Sequence, residues 1–366
     1  MKTKTTDYVL IFIVLILLAI GITMVFSASY YYALSKWQDK FYFLRKEVIW
    51  VSLGLAGMVV TSFIPYRFYK LVSWPLMILS VALLIVTLQV GEVYNGAQRW
   101  LTIAGQQFMP SEVSKIAGII FFAQMLSSKR YAIKSFMDLF KPYLPVLAVL
   151  AYLILKQPDY STTGVIVVVM LSMIFVSGAN ILYFVPLVSL FLFGSWYYIS
   201  DSMYRLQRVL TFLDPFQDPI GAGWQIVNSL YALGTGGLLG VGLGQSAQNK
   251  LYIPEPQNDF ILATFGEEFG FIGFLLLSGL FWGLLYRGIR IASRAPDAFG
   301  ALLAYGITFL VAVQTIINFG VATSSLPVTG MPLPFISFGG TSLVILLGAM
   351  GILVNISKFQ QEKEEI

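Results

Sequence analysis

The chain has 366 residues, of which 57% are hydrophobic and only 11% charged, and its mean hydropathy is +0.79. Soluble globular domains carry about 25% charged residues, so this composition excludes a soluble protein and indicates an integral membrane protein. The 23 basic and 18 acidic residues give a net charge of +5, and the chain has neither Cys nor His. Disulfides, thiolate nucleophiles, Cys-based zinc sites and histidine general bases are therefore excluded.

Apolar segments recur along the whole chain, and a helix needs about 20 such residues to cross a bilayer. In chain order they lie at 8–27, 47–64, 71–90, 110–127, 142–156, 160–177, 181–199, 260–286, 298–320 and 341–357. The first is long for a signal peptide and lacks a convincing cleavage site, so we expect it to be retained. The short fifth and sixth segments predict a tight helical hairpin. The pattern predicts an all-α integral membrane protein with ten transmembrane helices, forming one polytopic domain over residues 1–366.

The basic residues indicate how these helices are oriented. Ten spans put both termini on the same side of the membrane, and the short loops on that side carry clustered cations such as Arg67, Lys70, Arg287, Arg290 and Arg294. Short loops rich in Lys and Arg stay in the cytoplasm. The sequence therefore predicts cytoplasmic termini and a large extracellular loop, at about residues 200–259, between helices 7 and 8.

Two irregular regions lie on the predicted outer side. The loop at 200–259 is rich in Leu, Trp, Tyr and Gly and poor in charge, which favours short amphipathic or re-entrant helices, with Gln225 to Leu233 the best candidate. Its glycine run at 234–244 lacks the signature of a nucleotide loop and indicates close packing. Two prolines in the segment 331–342 exclude a regular helix there. Broken segments of this kind often line substrate cavities.

The strongest candidate site opens the eighth span, where four carboxylates fall within fourteen residues: Glu255, Asp259, Glu267 and Glu268. Carboxylates are costly near hydrocarbon, and in a chain without His they are the best-placed groups for acid–base chemistry. A helix that begins near Asp259 would put Asp259 and Glu267 on one face, about 12 Å apart along its axis. Asp259 is the candidate catalytic residue, and the alternative is helix capping by Asp259 or Asn258. The alternative for Glu267 and Glu268 is pairing with a basic side chain of another helix.

Charged residues elsewhere provide candidate anion contacts. Pro110 suits a first helical turn, and Glu112 and Lys115 can touch at i and i+3, as a local salt bridge or with Lys115 reaching an anionic group in a cavity. Arg99 can bind phosphate with its forked guanidinium or contact lipid headgroups at the membrane interface. Asp159 lies in the turn between the fifth and sixth segments, where turn formation and capping are alternatives to a functional role.

Ordered blocks extend over nearly the whole sequence. They are Asp7-Tyr8, Met24-Val-Phe-Ser-Ala-Ser29, Arg99-Trp-Leu101, Pro110-Ser-Glu112 with Lys115, Gln157-Pro-Asp159, Asp214-Pro215, Asp218-Pro-Ile-Gly221, Pro254-Glu255 with Asp259-Phe260, Glu267-Glu268, and Leu333-Pro-Phe-Ile-Ser-Phe-Gly-Gly-Thr-Ser342. In these blocks the chain resembles the SEDS family (shape, elongation, division and sporulation) of FtsW, RodA and SpoVE proteins. The block Gly242-Leu-Gly-Gln-Ser246 looks more like the division and sporulation branch.

The resemblance implies a peptidoglycan glycosyltransferase that polymerises lipid II at the outer face of the bacterial cytoplasmic membrane. It also implies a class B penicillin-binding protein (a transpeptidase) as partner, contacts with membrane lipids, and no nucleic acid. The family's essential aspartate falls on Asp259. Asn258 stands where Thr is usual, Phe338 where Tyr is commoner, and Tyr160-Ser161 replaces Leu-Gly. None of these departures removes a charge.

Glycosyl transfer from a lipid pyrophosphate needs a base for the acceptor hydroxyl and positive charge at the leaving group. We expect Asp259 to be the base, acting on the 4-hydroxyl of the acceptor GlcNAc with inversion of the donor sugar. The expected pyrophosphate contacts, in falling order, are Arg99, Lys115, Arg205 and Arg208. The predicted substrate-binding set also includes Glu112, Glu267 and Asp159.

No cofactor is certain from the residues, and a divalent cation, Mg²⁺ or Mn²⁺, is the alternative source of positive charge. Two other functions fit the intramembrane charge and broken helices: a lipid II flippase without chemistry, and a non-catalytic scaffold for the penicillin-binding protein. An enzyme makes glycan from lipid II in detergent, where there is no membrane to cross, and a flippase cannot.

Overall fold

The computed structural model describes residues 6–94, 96–103, 105–128, 133, 135–200, 203–249 and 255–360. Across these ranges the chain forms twelve α-helices. They are α1 (Tyr8–Trp37), α2 (Tyr42–Phe63), α3 (Tyr66–Val90), α4 (Pro110–Leu126), α5 (Tyr143–Lys156), α6 (Tyr160–Val176), α7 (Phe184–Ser200), α8 (Met203–Leu213), α9 (Trp224–Gly236), α10 (Ile261–Ser293), α11 (Ala298–Ala322) and α12 (Thr341–Ser357). Each of the ten apolar segments lies mainly in one helix, and the other two helices, α8 and α9, lie between the seventh and eighth segments. The helix expected from Gln225 to Leu233 is confirmed as part of α9.

Several helices have the length and composition of membrane spans. Within the described ranges, α1, α3, α10 and α11 are long and apolar enough to cross a bilayer, while α5, α6, Ile181–Gly194 and α12 are apolar but shorter. α1 runs to Trp37, well past its predicted end, because the polar residues after Phe26 continue the helix instead of opening a loop. The chain is a multi-pass membrane protein of mainly helical structure.

α4 lies in the middle of the helix bundle. It contacts α3, α6, α11 and α12, and it is buried along almost its whole length from Pro110 to Met125. Large apolar side chains such as Phe12, Leu71 and Trp282 are exposed on the outer helices, as expected for surfaces that face lipid. The charged residues of α4 are therefore held in the interior of the bundle.

α2 and α12 run parallel and close together. Gly54 of α2 lies against Leu347, and Gly351 of α12 lies against Met58, with no room for a Cβ atom at either glycine. Small residues let membrane helices approach closely, because packing rather than water exclusion holds them together. This pairing fixes the start of α12 beside α2.

A small antiparallel sheet follows α3 and was not predicted. Its strands β1 (Glu92–Tyr94), β2 (Ala97–Ile103) and β3 (Gln106–Phe108) pair in chain order. Gly96 and Gly105 lie between the strands, each with a φ of +76° that favours glycine. Two of the three strands have only three residues, which leaves too little alternation for a sequence pattern to detect. The sheet contacts α3 and α4 and carries Arg99 on β2.

α10 is broken at Gly270, where φ is 65° and ψ is −166°. In an uninterrupted helix, the carbonyls of Glu267 and Glu268 would accept from the N–H groups four residues later. Here they accept instead from the N–H groups of Val241 and Gly242, at 3.0 Å each. The partners belong to the predicted glycine run, whose residues 236–242 we call the glycine insert.

The second half of α10 is bonded to the same insert. The N–H groups of Phe271 and Ile272 donate to the carbonyls of Gly237 and Leu238, at 2.9 and 3.1 Å. A Cβ at Gly240 would lie 2.1 Å from the carbonyl oxygen of Glu268, which is why the insert is built of glycine. The expectation of close packing is confirmed. The insert provides hydrogen-bond partners for backbone groups that the break in a membrane helix would leave unpaired.

The break predicts the effect of Gly270→Ala. A Cβ there would lie 2.3 Å from the Gly240 nitrogen, and alanine rarely adopts this φ, so we expect a loss of about 1–3 kcal/mol or more in stability. The measurement is thermal unfolding of the purified protein in detergent. Gly279→Ala is the matched control, because nothing lies within 4 Å of its Cβ position on the same helix. Equal melting temperatures for the two variants would contradict the role of the insert.

Candidate active site

Asp259 lies just outside α10. The helix starts at Ile261 with Phe260 at the cap position, and no side chain in the described structure caps it. The side-chain amide of Asn258 donates to Glu255 at 2.8 Å. The capping interpretation of Asn258 is therefore wrong, and Asp259, one residue before the cap position, does not share a helix face with Glu267. Asp259 is half-buried on the segment that enters α10.

The backbone of Asp259 is bound to the connection between α11 and α12, residues 323–340, which we call the central connection. The side-chain amide of Asn318, near the end of α11, donates to the carbonyl of Asp259 at 2.9 Å and to the carbonyl of Met331 at 2.8 Å. Gly330 faces the carboxylate, since a Cβ there would lie 3.5 Å from Asp259 Oδ2. One amide thus joins the candidate base to the central connection.

The central connection passes through the protein interior without regular helix, as the prolines predicted. Leu333 and Phe335 are buried, and Phe335 has a φ of +65°, an uncommon conformation for a bulky residue. The Phe335 carbonyl lies against Gly21 of α1, where a Cβ would approach it to 2.3 Å. The N–H of Phe338 donates to the carbonyl of Gln257 at 2.9 Å. The segment around Asp259 is therefore held to the connection at two points.

Glu112 and Lys115 form the predicted pair on α4. Their side chains meet at 2.7 Å, and Glu112 also accepts from Ser342 Oγ at 2.9 Å, at the start of α12. Lys115 is only 2% exposed. A cavity of about 10 Å³, the size of one water molecule, is lined by both residues and by Gln314. The local salt bridge is confirmed, and contact between Lys115 and an anionic ligand stays a prediction.

Arg99 and Asp159 meet where the sheet contacts the turn between α5 and α6. Arg99 donates to the carbonyls of Gln157 and Pro158, and its Nη1 lies 3.9 Å from Asp159 Oδ1. Asp159 caps α6 by accepting from the N–H of Thr162 at 3.1 Å, so its capping role is confirmed. The hairpin predicted for α5 and α6 is also confirmed. Arg99 therefore attaches the sheet to this hairpin.

These groups are arranged around the central connection. Ser161, two residues after Asp159, donates to the carbonyl of Thr329 at 2.6 Å, next to the glycine that faces Asp259. Ser342, just past the other end of the connection, binds Glu112. The central connection is thus contacted by the segment that carries Asp259, by the turn that holds Arg99 and Asp159, and by the pair of Glu112 and Lys115.

Two predicted cations and Pro254 cannot be placed in this arrangement. Arg205 and Arg208 belong to α8, but their side chains lie outside the described part of the structure, as does Pro254. For a metal ion, the described residues contain no group of three acidic side chains that could hold one.

Glu267 and Glu268 point into the protein. Glu267 accepts from Ser246 Oγ and from the N–H of Ala247 at 3.0 Å, and Glu268 accepts from Ser27 Oγ of α1 at 2.5 Å. The alternative of pairing with a basic side chain is wrong for the described contacts, because their partners are hydroxyls and a backbone amide. The two carboxylates hold α1 and the loop between α9 and α10 against the first half of α10.

Sequence reasoning missed Asn318. It is a buried amide in an apolar helix, one turn after Gln314, and such groups are expensive near hydrocarbon unless they are hydrogen-bonded. A polar residue in an apolar helix can be recognised in the sequence. The two carbonyls that Asn318 binds cannot, because they lie 59 and 13 residues away from it.

Comparison with known proteins decides the family. The family model described as "Cell cycle protein" (FTSW_RODA_SPOVE) matches residues 8–362 of this chain. The chain belongs to this family. It is 43% identical over 365 residues to Stage V sporulation protein E of Bacillus subtilis (strain 168), covering 99% of this chain and 100% of that protein. It is 40% identical over 353 residues to the "Probable peptidoglycan glycosyltransferase FtsW" of Trichlorobacter lovleyi, covering 96% and 93%.

Solved structures of the family share the fold. One, described as "Structural coordination of polymerization and crosslinking by a peptidoglycan synthase complex", has a TM-score of 0.80 at 27% identity and covers 98% of this chain and 99% of that one. The crystal structure of the rod shape determining protein RodA of Thermus thermophilus has a TM-score of 0.73 at 25% identity, with coverage of 98% and 99%. The resemblance seen in the sequence is confirmed.

The contacts of Glu267 predict what its loss does. Glu267→Leu leaves the N–H of Ala247 and the hydroxyl of Ser246 without an acceptor, and each buried unpaired group costs about 1–3 kcal/mol. We expect a clearly lower melting temperature for Glu267→Leu and an intermediate value for Glu267→Gln, which keeps one acceptor oxygen. Glu255→Gln, at an exposed carboxylate before α10, is the control. A Glu267→Leu variant as stable as the control would show that the carboxylate does not anchor the loop.

Proposed function

We propose that this chain is a peptidoglycan glycosyltransferase that polymerises lipid II at the outer face of the bacterial cytoplasmic membrane. The observation that carries the proposal is Asp259, a half-buried carboxylate whose backbone is fixed to the central connection. Membership of a family that includes proteins named as probable peptidoglycan glycosyltransferases supports the reaction.

In the proposed reaction, the 4-hydroxyl oxygen of the acceptor GlcNAc bonds to the anomeric carbon of the donor sugar. The bond from that carbon to the undecaprenyl pyrophosphate breaks, and the pyrophosphate departs with the bonding electrons. Asp259 takes the hydroxyl proton, which typically accelerates such a step by about 10²–10⁴-fold. Attack opposite the leaving group inverts the anomeric carbon.

The departing pyrophosphate needs positive charge, and the proposed contacts are Arg99, Lys115, Arg205 and Arg208, in falling order. Arg99 comes first because 26% of its side chain is exposed and a guanidinium has five N–H donors, not all engaged by the turn carbonyls. Lys115 is buried and bound to Glu112, so it can act only if the anion enters the interior or the ion pair opens. Arg205 and Arg208 follow.

We also propose ten spans with both termini cytoplasmic and the loop at about 200–259 outside. In that topology Arg99, Asp159 and Asp259 all lie on the outer side, in keeping with the contacts that connect their segments. At the opposite end, Arg287 binds Asp7 at 2.6 Å and Tyr66 donates to Asp297 at 2.6 Å, between segments that the topology puts inside.

The proposed partner is a class B penicillin-binding protein, which would cross-link the glycan as it forms. A solved relative at a TM-score of 0.80 is described as part of a peptidoglycan synthase complex that coordinates polymerisation and crosslinking. Lipid II and membrane lipids are the proposed small partners.

Asp259→Ala tests the proposed chemistry. With lipid II in detergent, and with and without the partner, we expect the folded variant to lose at least about 10²-fold in polymerisation rate, because it lacks the carboxylate that we propose as the base. Glu92→Gln, an exposed carboxylate on β1, is the control and should keep the wild-type rate. A wild-type rate for Asp259→Ala would refute Asp259 as the base. Wild-type protein that moves lipid II across vesicles but makes no glycan would establish a flippase instead.

Lys115 is tested by a pair of variants. Lys115→Met removes the charge and leaves Glu112 buried without its partner, whereas Glu112→Gln with Lys115→Met removes both charges. If Lys115 contacts pyrophosphate, both variants should raise the KM for lipid II or lower kcat, even where the double variant regains stability. Normal kinetics in the stable double variant would limit Lys115 to a structural role.

A further inference from the structure

Asn318 holds two separate pieces of backbone with one side chain. It is 1% exposed, and its amide nitrogen donates to the carbonyls of Asp259 and Met331. Because both amide hydrogens are used, the orientation of the side chain is determined and its oxygen points away from both carbonyls. The two segments therefore keep a fixed spacing across one amide group.

No other side chain of this size can make the same link. Aspartate would present an oxygen where the NH₂ group stands, and leucine would leave both buried carbonyls without a donor. Elsewhere on α11 a polar group is not used in this way: the hydroxyl of Thr315, one turn earlier, has no hydrogen-bond partner in the described part of the chain. The amide nitrogen of Asn318 is therefore engaged where the hydroxyl of Thr315 is not, and the buried Oδ1 of Asn318 has no hydrogen-bond partner in the described part of the chain.

The link determines what surrounds the carboxylate of Asp259. Met331 follows Gly330, the residue whose bare Cα faces Asp259 Oδ2, and Gly330 has a φ of +72°. Asn318 thus fixes the carboxylate relative to a backbone position that has no side chain. Without the link, the segment around Asp259 keeps only the hydrogen bond from the N–H of Phe338 to the carbonyl of Gln257 as its other described tie to the connection. A misplacement of about 1 Å at a reacting group can cost about 10²-fold in rate.

We propose that Asn318 is a positioning residue for the transfer reaction, acting through the backbone of Asp259 and Met331 and not by touching substrate. The inference rests on the proposed function, since it assumes that Asp259 takes the proton. It predicts that loss of the amide lowers the rate of the chemical step more than the binding of lipid II.

The experiment compares Asn318→Leu and Asn318→Asp with Thr315→Val in the full-length protein, together with its partner, in detergent. Kinetics are measured on protein that elutes as a single folded species, at a temperature well below the melting point of every variant. We expect both Asn318 variants to lose about 10–100-fold in kcat while KM for lipid II changes less than about threefold. Thr315→Val, which removes a hydroxyl without a described partner, should stay within about twofold of wild type in both constants.

The outcomes separate the inference from the proposed function. If Asn318→Leu melts at a lower temperature but keeps the wild-type kcat while folded, Asn318 is only structural and the inference is overturned. If Asp259→Ala abolishes polymerisation and both Asn318 variants are normal, the inference fails and the proposed function stands. If Asp259→Ala is active, the role of Asp259 fails whatever the Asn318 variants do.

Discussion

Backbone N–H and C=O groups inside a membrane protein must be paired within the protein, and the site described above depends on that constraint. α10 can break at Gly270 because the glycine insert supplies four hydrogen bonds in place of the two that the helix loses. The central connection can cross the interior without helix because its backbone groups find partners there. The carbonyl of Met331 accepts from the side-chain amide of Asn318, and the N–H of Phe338 donates to the carbonyl of Gln257. In both places, the irregular backbone has specific hydrogen-bond partners.

Two of the buried carboxylates follow the same rule. Glu112 is satisfied by an ammonium and a hydroxyl, and Glu267 by a hydroxyl and a backbone N–H. Such contacts make buried carboxylates tolerable, and they also attach one element to another. Asp259, the proposed base, differs from them in its half-buried position just before α10, which suits a group that would meet substrate. The proposed base and these two structural carboxylates thus differ in burial.

Much of the fold could be predicted from the sequence, because helices of this class are long, apolar and periodic. The ten apolar segments and the helix expected from Gln225 to Leu233 correspond to helices in the structure, and the segment with two prolines is irregular, as expected. The break at Gly270 and the sheet could not be predicted. The break depends on hydrogen bonds from a segment that is distant in sequence, and two of the three strands of the sheet have only three residues. The pair of Glu112 and Lys115 was predictable because its partners are one helical turn apart.

For the candidate site, composition and position identified Asp259, but they assigned partners poorly. Local rules suggested a cap for Asp259 and a basic partner for Glu267, and the structure supplies neither among the described contacts. The broken α10 adds a mechanical consequence. Its first half is attached by side chains to α1 and to the loop that precedes α10, and both halves are hydrogen-bonded to the glycine insert across the break at Gly270. A force on the second half of α10 would therefore be passed to the insert through these bonds as well as along the chain at Gly270.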